Sequence, residues 1–193
     1  LATWKANYGV TGGRQTNAIL SQVVPAAAGQ EYSFTGDARF EDYYSGYVNT
    51  LGDLSPLGQI ASPTVTQFKM EFLDANLNPT GPALIRNLRD EVGEPNFPNF
   101  AVTATPLVGT APAGTMNIRV TAEALNMVWN NSSSNPAEVK DNLQSAFFNN
   151  FNLNRTADPG ANLLSNGDLN LGAPDALDFW NQQETPGANG EPL

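Results

Sequence analysis

The chain has 193 residues, 40% of them hydrophobic and only 15% charged, enough for one large domain with a well-packed core or two small ones. It contains neither His nor Cys, which removes zinc fingers, thiol nucleophiles, haem ligation, Ser-His-Asp triads and disulfide bridges together. Nine Lys and Arg against 19 Asp and Glu give a formal charge of −10, which repels nucleic acid and anionic lipid, and no run of about 18 apolar residues offers a membrane span.

Amide replaces charge as the source of polarity. Asn occurs 23 times, and a weakly charged surface rich in Asn, Gly, Ser and Thr, without Cys, suits an extracellular or cell-surface bacterial protein. Leu1 opens directly into LATWKANYG with no basic start and apolar stretch, so the expectation is a chain whose leader has been removed, or a fragment.

Period-two alternation dominates the chain and predicts an all-β fold. Residues 18–24 (AILSQVV) alternate, Pro25–Gln30 turns, and Glu31–Phe40 places Tyr32, Phe34, Gly36, Ala38 and Phe40 on one face. Residues 41–63 lack sustained periodicity and read as a long loop. Thr64–Asp74 resumes the strand pattern with Phe68, Met70 and Phe72 inward, and Asn76–Gly81 ends it. Residues 82–92 (PALIRNLRDEV) fit either a helical turn or an edge strand.

Phe100–Val108 is a further strand, and APAGT at 111–115 turns the chain into Met116–Ala124, whose residues 116, 118, 120 and 122 share a face. Asn126–Glu138 reads as a second polar loop. Gln144–Leu153 is the last strong strand, with Phe147 and Phe151 on one face and Phe148 on the other. About seven short strands at roughly ten-residue spacing predict a two-sheet antiparallel β-sandwich of jelly-roll type, spanning residues 1–154. In the remaining extension, 155–193, Leu163, Leu169 and Leu171 alternate with small Ser165 and Gly167, so 162–171 reads as a C-terminal strand with one apolar side, ahead of a Pro/Gly-rich end.

The stretches LSQVV (20–24), GQEYSFTGDARFE (29–41), MEFLDAN (70–76), GTAPAGTMNIRV (109–120) and QSAFFNNFNL (144–153) resemble, in order, the carbohydrate-binding-module-like jelly-roll domains of bacterial secreted and surface proteins. That family opens on a segment like N-L-L-x-N-G-D-F-E followed by a Trp. Here NLLSNGDLN (162–170) and Phe179-Trp180 stand at the other end, so the chain looks circularly permuted. The resemblance implies that this tail has a slot beside the 144–153 strand. Three routes can fill it: return into its own domain, insertion into the next subunit as a donated strand, or a tandem array.

Insertion into a neighbour propagates head to tail, and it is the first functional expectation: a structural, non-enzymatic subunit polymerising with copies of itself, with Leu163, Leu164, Leu169 and Leu171 as the donated side chains. The alternative is a carbohydrate-binding module for a polysaccharide, with Tyr43, Tyr44, Tyr47 and Trp129 as sugar-facing rings; Trp4 with Tyr8 is a further aromatic pair. These rings equally suit the pinning of loops. Catalysis is not expected, because adjacent acids such as Glu41/Asp42 and Asp90/Glu91 point to opposite faces of a strand and cannot flank one glycosidic bond.

Asn130, Asn131 and Asn154 open N-x-S/T sequons, open to glycosylation where the machinery exists. No cofactor is expected. The resemblance also implies a weak structural calcium site at Asp168, Asn170, Asn149 and Asn150, in which neutral amides replace most of the charge that a hard dication requires.

Overall fold

The computed structural model describes residues 2–5, 16–40, 47–49, 59–61, 65–88, 100–127, 145–173 and 176–184. Tyr43, Tyr44, Trp129, Asn130 and Asn131 lie outside them, as does Tyr8.

The chain enters on a short strand, β1 (Ala2–Lys5), followed by the long pair β2 (Thr16–Pro25) and β3 (Glu31–Phe40). The short strands β4 (Tyr47–Asn49) and β5 (Gln59–Ala61) pair with each other inside the stretch whose sequence reads as loop. β6 (Val65–Leu73) leads to β7 (Leu84–Asn87), an edge strand in the first part of the 82–92 stretch; residues 89–92 lie outside the described residues. The single strand expected over 100–108 is two: β8 (Phe100–Thr103) and β9 (Leu107–Thr110). Pro106, which has no N–H to give a ladder, stands in the break. β10 (Asn117–Met127) and β11 (Ser145–Arg155) follow, then the small strands β12 (Gly172–Ala173), β13 (Ala176–Leu177) and β14 (Asn181–Glu184).

Two five-stranded antiparallel sheets result. One runs β1-β11-β3, and β3 carries β8 opposite Asp37–Phe40 and β9 opposite Glu31–Phe34 on its far edge. The other runs β14-β2-β10-β6-β7. The chain crosses repeatedly between the sheets, at β1 to β2, β2 to β3, β7 to β8, β9 to β10 and β10 to β11, and the two sheets face one another across the core as in a two-sheet sandwich.

The alternation that predicts these strands also fills the interior. Ala18 and Leu20 of β2, Phe68, Met70 and Phe72 of β6, and Ile118, Val120, Ala122 and Ala124 of β10 are buried from one sheet; Tyr32, Phe34 and Ala38 of β3 face them from the other. Register puts Ala122 beside both Phe68 and Leu20, so a small residue on the central strand makes room for the ring. Phe68 packs on Phe34, Phe148 and Phe151 with ring centroids 5.6, 5.7 and 5.6 Å away. A Cβ on Gly36 would stand 2.5 Å from Phe151 Cδ1, which explains a glycine in mid-strand.

The expected phase of β11 is corrected. Phe148 and Phe151, three residues apart, are both buried, while Phe147 is half-buried. A bulge shifts the β11–β3 register between Asn149 and Asn152, and Asn150 takes a left-handed φ of 51°, an arrangement Asn tolerates better than most residues. The inserted residue flips the pleat, so the second half of the strand presents odd-numbered side chains to the core. Met116, expected on the inward face of its strand, is exposed because the ladder begins one residue later at Asn117.

The β6–β7 connection is built by one carboxylate. Asp74 Oδ1 accepts the N–H groups of Asn76 and Asn78 at 2.8 and 2.9 Å, an arrangement that closes the turn and leaves Leu77 at φ 63°. The Asn78 N–H, assisted by the Asn78 amide and the Asn76 N–H, holds the Asp74 carboxyl below its ordinary value of 3.8. A depressed carboxylate contributes stability that is present above its unfolded pKa and is lost as pH falls through the folded one. The wild-type denaturation midpoint is therefore expected to decline below about pH 3.8 more steeply than that of Asp74→Asn, checked by urea titrations at stepped pH.

Candidate functional site

Two features outside the core order otherwise unexplained polar side chains: the closing segment 162–184 and the outward face of the β14-β2-β10-β6-β7 sheet.

Residues 162–171 do not form the expected strand. Asn166 and Leu169 adopt φ values of 51° and 53°, which breaks alternation, and the segment is a succession of turns. Leu164 and Leu169 are buried in the chain's own core and Leu163 packs against it, whereas Leu171 is turned out to solvent. The segment lies along β11: Leu163 N–H donates to Leu153 O, and Phe151 N–H to Gly167 O, both at 2.7 Å. β1 covers the Ser145–Phe148 stretch of the same strand. The side of β11 away from β3 is thus closed in two pieces.

Side-chain amides supply the missing peptide groups. Asn162 accepts the N–H of Leu153 at 3.0 Å and of Leu164 at 3.1 Å through Oδ1, while its Nδ2 donates to Phe151 O at 2.9 Å. Gln22, reaching from β2 in the opposite sheet, donates to Ser165 O at 2.9 Å and accepts from Ser165 N–H at 2.8 Å. Asn166 accepts the N–H groups of Asn170 and Leu171 and donates to the carbonyls of Leu171 and Asp178. Trp180, buried with its ring 5.0 Å from Phe151, donates Nε1–H to Asn166 O at 3.0 Å. β14 then pairs Asn181–Glu184 with Ala18–Ser21. The tail therefore joins β11 of one sheet to β2 of the other and shuts the seam between them.

Three of the four side chains implied in calcium binding are engaged otherwise. Asn170 Nδ2 donates to Asp168 Oδ2 and Asn150 Nδ2 to Asp37 Oδ2, each at 2.7 Å. Asn149 Oδ1 is buried without a hydrogen bond, a single neutral oxygen. Among the described residues no group of three or more Asp, Glu, His or Cys side chains is placed to hold a metal. A hard dication needs several converging oxygens with negative charge, and this set does not fit one. Asn154, half-buried on β11, donates Nδ2–H to Arg155 O; Tyr47 lies in β4 and Trp4 in β1.

The second feature is the sheet face that looks away from the core. Even-numbered residues of β2, β6 and β10 point inward, so the odd ones form an outward grid: Val23, Arg119 and Glu71 in one row, Ser21, Thr121 and Lys69 in the next, Ile19, Glu123 and Gln67 in the third. Thr121 and Glu123 are only 3% and 5% exposed, and Ser21 is also buried. The longer side chains close over them. Lys69 Nζ lies 3.0 Å from Glu123 Oε1 and 3.6 Å from Glu71 Oε2; Arg119 Nε donates to Glu71 Oε2 at 2.9 Å, and Gln67 Nε2 to Glu123 Oε2 at 2.6 Å.

Ion pairs on an open sheet contribute at most about 1 kcal/mol each, so their main effect is to fix the positions of planar polar groups rather than to hold the fold. The network contains two cations and two carboxylates and is neutral, in a chain of net charge −10. β14 adds Asn181 and Gln183 at one margin of this face and β7 adds Ile85 and Asn87 at the other. Sequence reasoning missed the face because alternating Gln-x-Lys-x-Glu and Arg-x-Thr-x-Glu patterns read as ordinary solvated strand surface. Their cross-strand register is what brings them together.

Two residues before β14 stands Phe179, with φ 71° and 65% exposure. A left-handed conformation costs a side-chain-bearing residue about 1–2 kcal/mol, and here no burial of the ring offsets it.

No family model matches the chain, and no curated protein matches it. Among solved structures it is similar to the enzymatically active domain of tailspike protein 4 of bacteriophage CBA120, with 14% sequence identity and a TM-score of 0.40 over 72% of this chain. The chain spans 14% of that protein's length.

Proposed function

We propose that the chain is a non-catalytic module of an extracellular or cell-surface protein that binds a neutral polysaccharide across the outward face of the β14-β2-β10-β6-β7 sheet. The observation that carries this reading is the immobilised, charge-balanced network of Gln67, Lys69, Glu71, Arg119 and Glu123 over a hydroxyl floor of Ser21 and Thr121. Sugar hydroxyls are recognised by planar amide, carboxylate and guanidinium groups held in fixed positions, because a binding surface that is already ordered loses little entropy on association. Internal neutrality disfavours a polyanion. Two carboxylates on one face invite comparison with a glycosidase, but both Glu71 and Glu123 are held to the same Lys69 ammonium, which argues for binding rather than proton transfer to a leaving group.

Electrophoresis through gels containing xyloglucan, galactomannan or mixed-linkage β-glucan tests the proposal. At least one polysaccharide is expected to retard the wild type, and Arg119→Ala and Glu123→Gln are each expected to weaken that retardation about tenfold, the loss of one charged hydrogen bond. Equal mobility with and without every polysaccharide refutes it.

A second reading is head-to-tail polymerisation by exchange of the closing segment between copies. It is favoured by one observation: the hydrogen bonds of Asn162, Leu163, Ser165 and Gly167 that seat the segment go to β11 or Gln22, which an identical neighbour also presents, and the intervening 156–161 is a run of turns. Light scattering after size exclusion separates the readings. A monomer at all concentrations supports the first, and a mass that grows with concentration and vanishes on deletion of residues 162–193 supports the second.

A further inference from the structure

We infer that Asn166 is a self-modification site that acts as a one-way latch: its carboxamide is shielded from cyclisation onto Gly167 while the closing segment is seated, reacts when the segment lifts, and thereafter keeps the segment from reseating. The inference stands apart from either functional reading above.

The chemistry follows from the Asn-Gly pair, in which no Cβ hinders the nitrogen that follows the asparagine. Gly167 N bonds to Asn166 Cγ, the bond from Cγ to Nδ2 breaks, and the Gly167 amide proton leaves with that nitrogen as ammonia. Water then opens the cyclic imide. Opening at Cγ leaves an aspartate, and opening at the main-chain carbonyl leaves an isoaspartate, whose backbone is longer by one methylene. The sequence holds one other such pair, Asn189-Gly190, outside the described residues.

In the seated segment every hydrogen-bonding position of the Asn166 amide is occupied. Oδ1 accepts the N–H groups of Asn170 and Leu171 at 2.9 and 3.0 Å, and Nδ2 donates to Leu171 O and Asp178 O at 2.9 and 3.2 Å. The peptide that must turn with it is held as well. Asn166 O accepts the Trp180 indole N–H at 3.0 Å, and Gly167 O accepts the Phe151 N–H at 2.7 Å. Turning Cγ toward Gly167 N gives up the four amide bonds, so the reaction is confined to the fraction of molecules in which the segment is raised.

The products do not fit the seat. A carboxylate has no proton for Leu171 O or Asp178 O, and it sets a charge against both carbonyls. The added methylene of the isoaspartate falls next to Gly167, where there is no room even for a Cβ beside the Phe151 carbonyl oxygen. Leu164, Leu169 and Trp180 lose their cover, and the Phe151 and Leu153 edge of β11 is left open.

The test incubates the full chain in mildly alkaline buffer, with and without unfolding urea, and follows ammonia release and the amide-to-acid mass gain of the Asn166 peptide. Conversion is expected to be slower in the folded chain by a hundredfold or more, on the order of the fraction raised. Gln22→Ala, which removes the bonds to Ser165, is expected to speed it about tenfold, and urea below the unfolding midpoint should speed the wild type progressively. Converted protein should lose hydrogen-exchange protection at Phe151 and at Asn181–Glu184 while β10 keeps its own. Equal rates in folded and unfolded chains overturn the shielding. A folded-state rate indifferent to both Gln22→Ala and low urea overturns the gating, and converted protein with Phe151 still protected overturns the latch.

Discussion

Gly167→Ala is expected to lower the unfolding free energy by about 3 kcal/mol or more, read as a shift of the urea midpoint at unchanged slope. An alanine Cβ there would collide with the carbonyl oxygen of Phe151 and come 2.8 Å from Asn162 Nδ2. Neither can yield. The carbonyl belongs to β11, the strand between β1 and β3, and the Asn162 amide is itself bonded to that same oxygen. The closing segment must therefore lift, which breaks the Phe151 N–H bond to Gly167 O and uncovers Leu164 and Leu169. Gly160→Ala is the control: that glycine is exposed, a Cβ there meets nothing within 4 Å, and the substitution is expected to be neutral within about half a kcal/mol.

Trp180→Ala is expected to cost about 3–5 kcal/mol, a large part of the 5–15 kcal/mol that holds an ordinary domain together. The indole fills the space between the tail and Phe151 and ties Asn166 O through Nε1, so truncation leaves both a cavity and a carbonyl short of a partner. Trp180→Phe separates the two contributions. It keeps most of the ring volume and should recover all but about 1–2 kcal/mol, the cost of the lost hydrogen bond and residual space. Trp180 also precedes β14 directly, so its loss should raise hydrogen exchange at Asn181–Glu184 before it does so in β10.

The long strands β2, β3, β6 and β10 were legible because each carries three or four inward apolar residues at even-numbered positions, a period-two pattern that a half-buried strand reproduces. What escaped was decided by residues whose effect is not periodic. Asn150 at the bulge reverses the phase of β11, and no count of alternation reveals an inserted residue beforehand. Leu163, Leu169 and Leu171 alternate well enough to imitate a strand, but Asn166 and Leu169 in left-handed geometry, with Asn162 and Gln22 bonding the backbone, fold the stretch into turns and leave Leu171 outside. The polar face was illegible for a different reason. Lys69, Glu71, Arg119 and Glu123 come from two strands about fifty positions apart in sequence, and their proximity depends on pairing register, which the sequence does not spell out.

The reliance on asparagine at the closing seam also sets a chemical lifetime. A peptide group in a ladder is chemically inert under mild conditions, whereas a primary amide hydrolyses slowly to a carboxylate, and asparagine is among the thermolabile residues. Conversion of Asn162 to aspartate would exchange a donor facing Phe151 O for a second acceptor and place a negative charge against that carbonyl. Conversion of Asn166 would do the same to two carbonyls at once. Aged protein should consequently lose its seam one amide at a time, with the sheets themselves still intact.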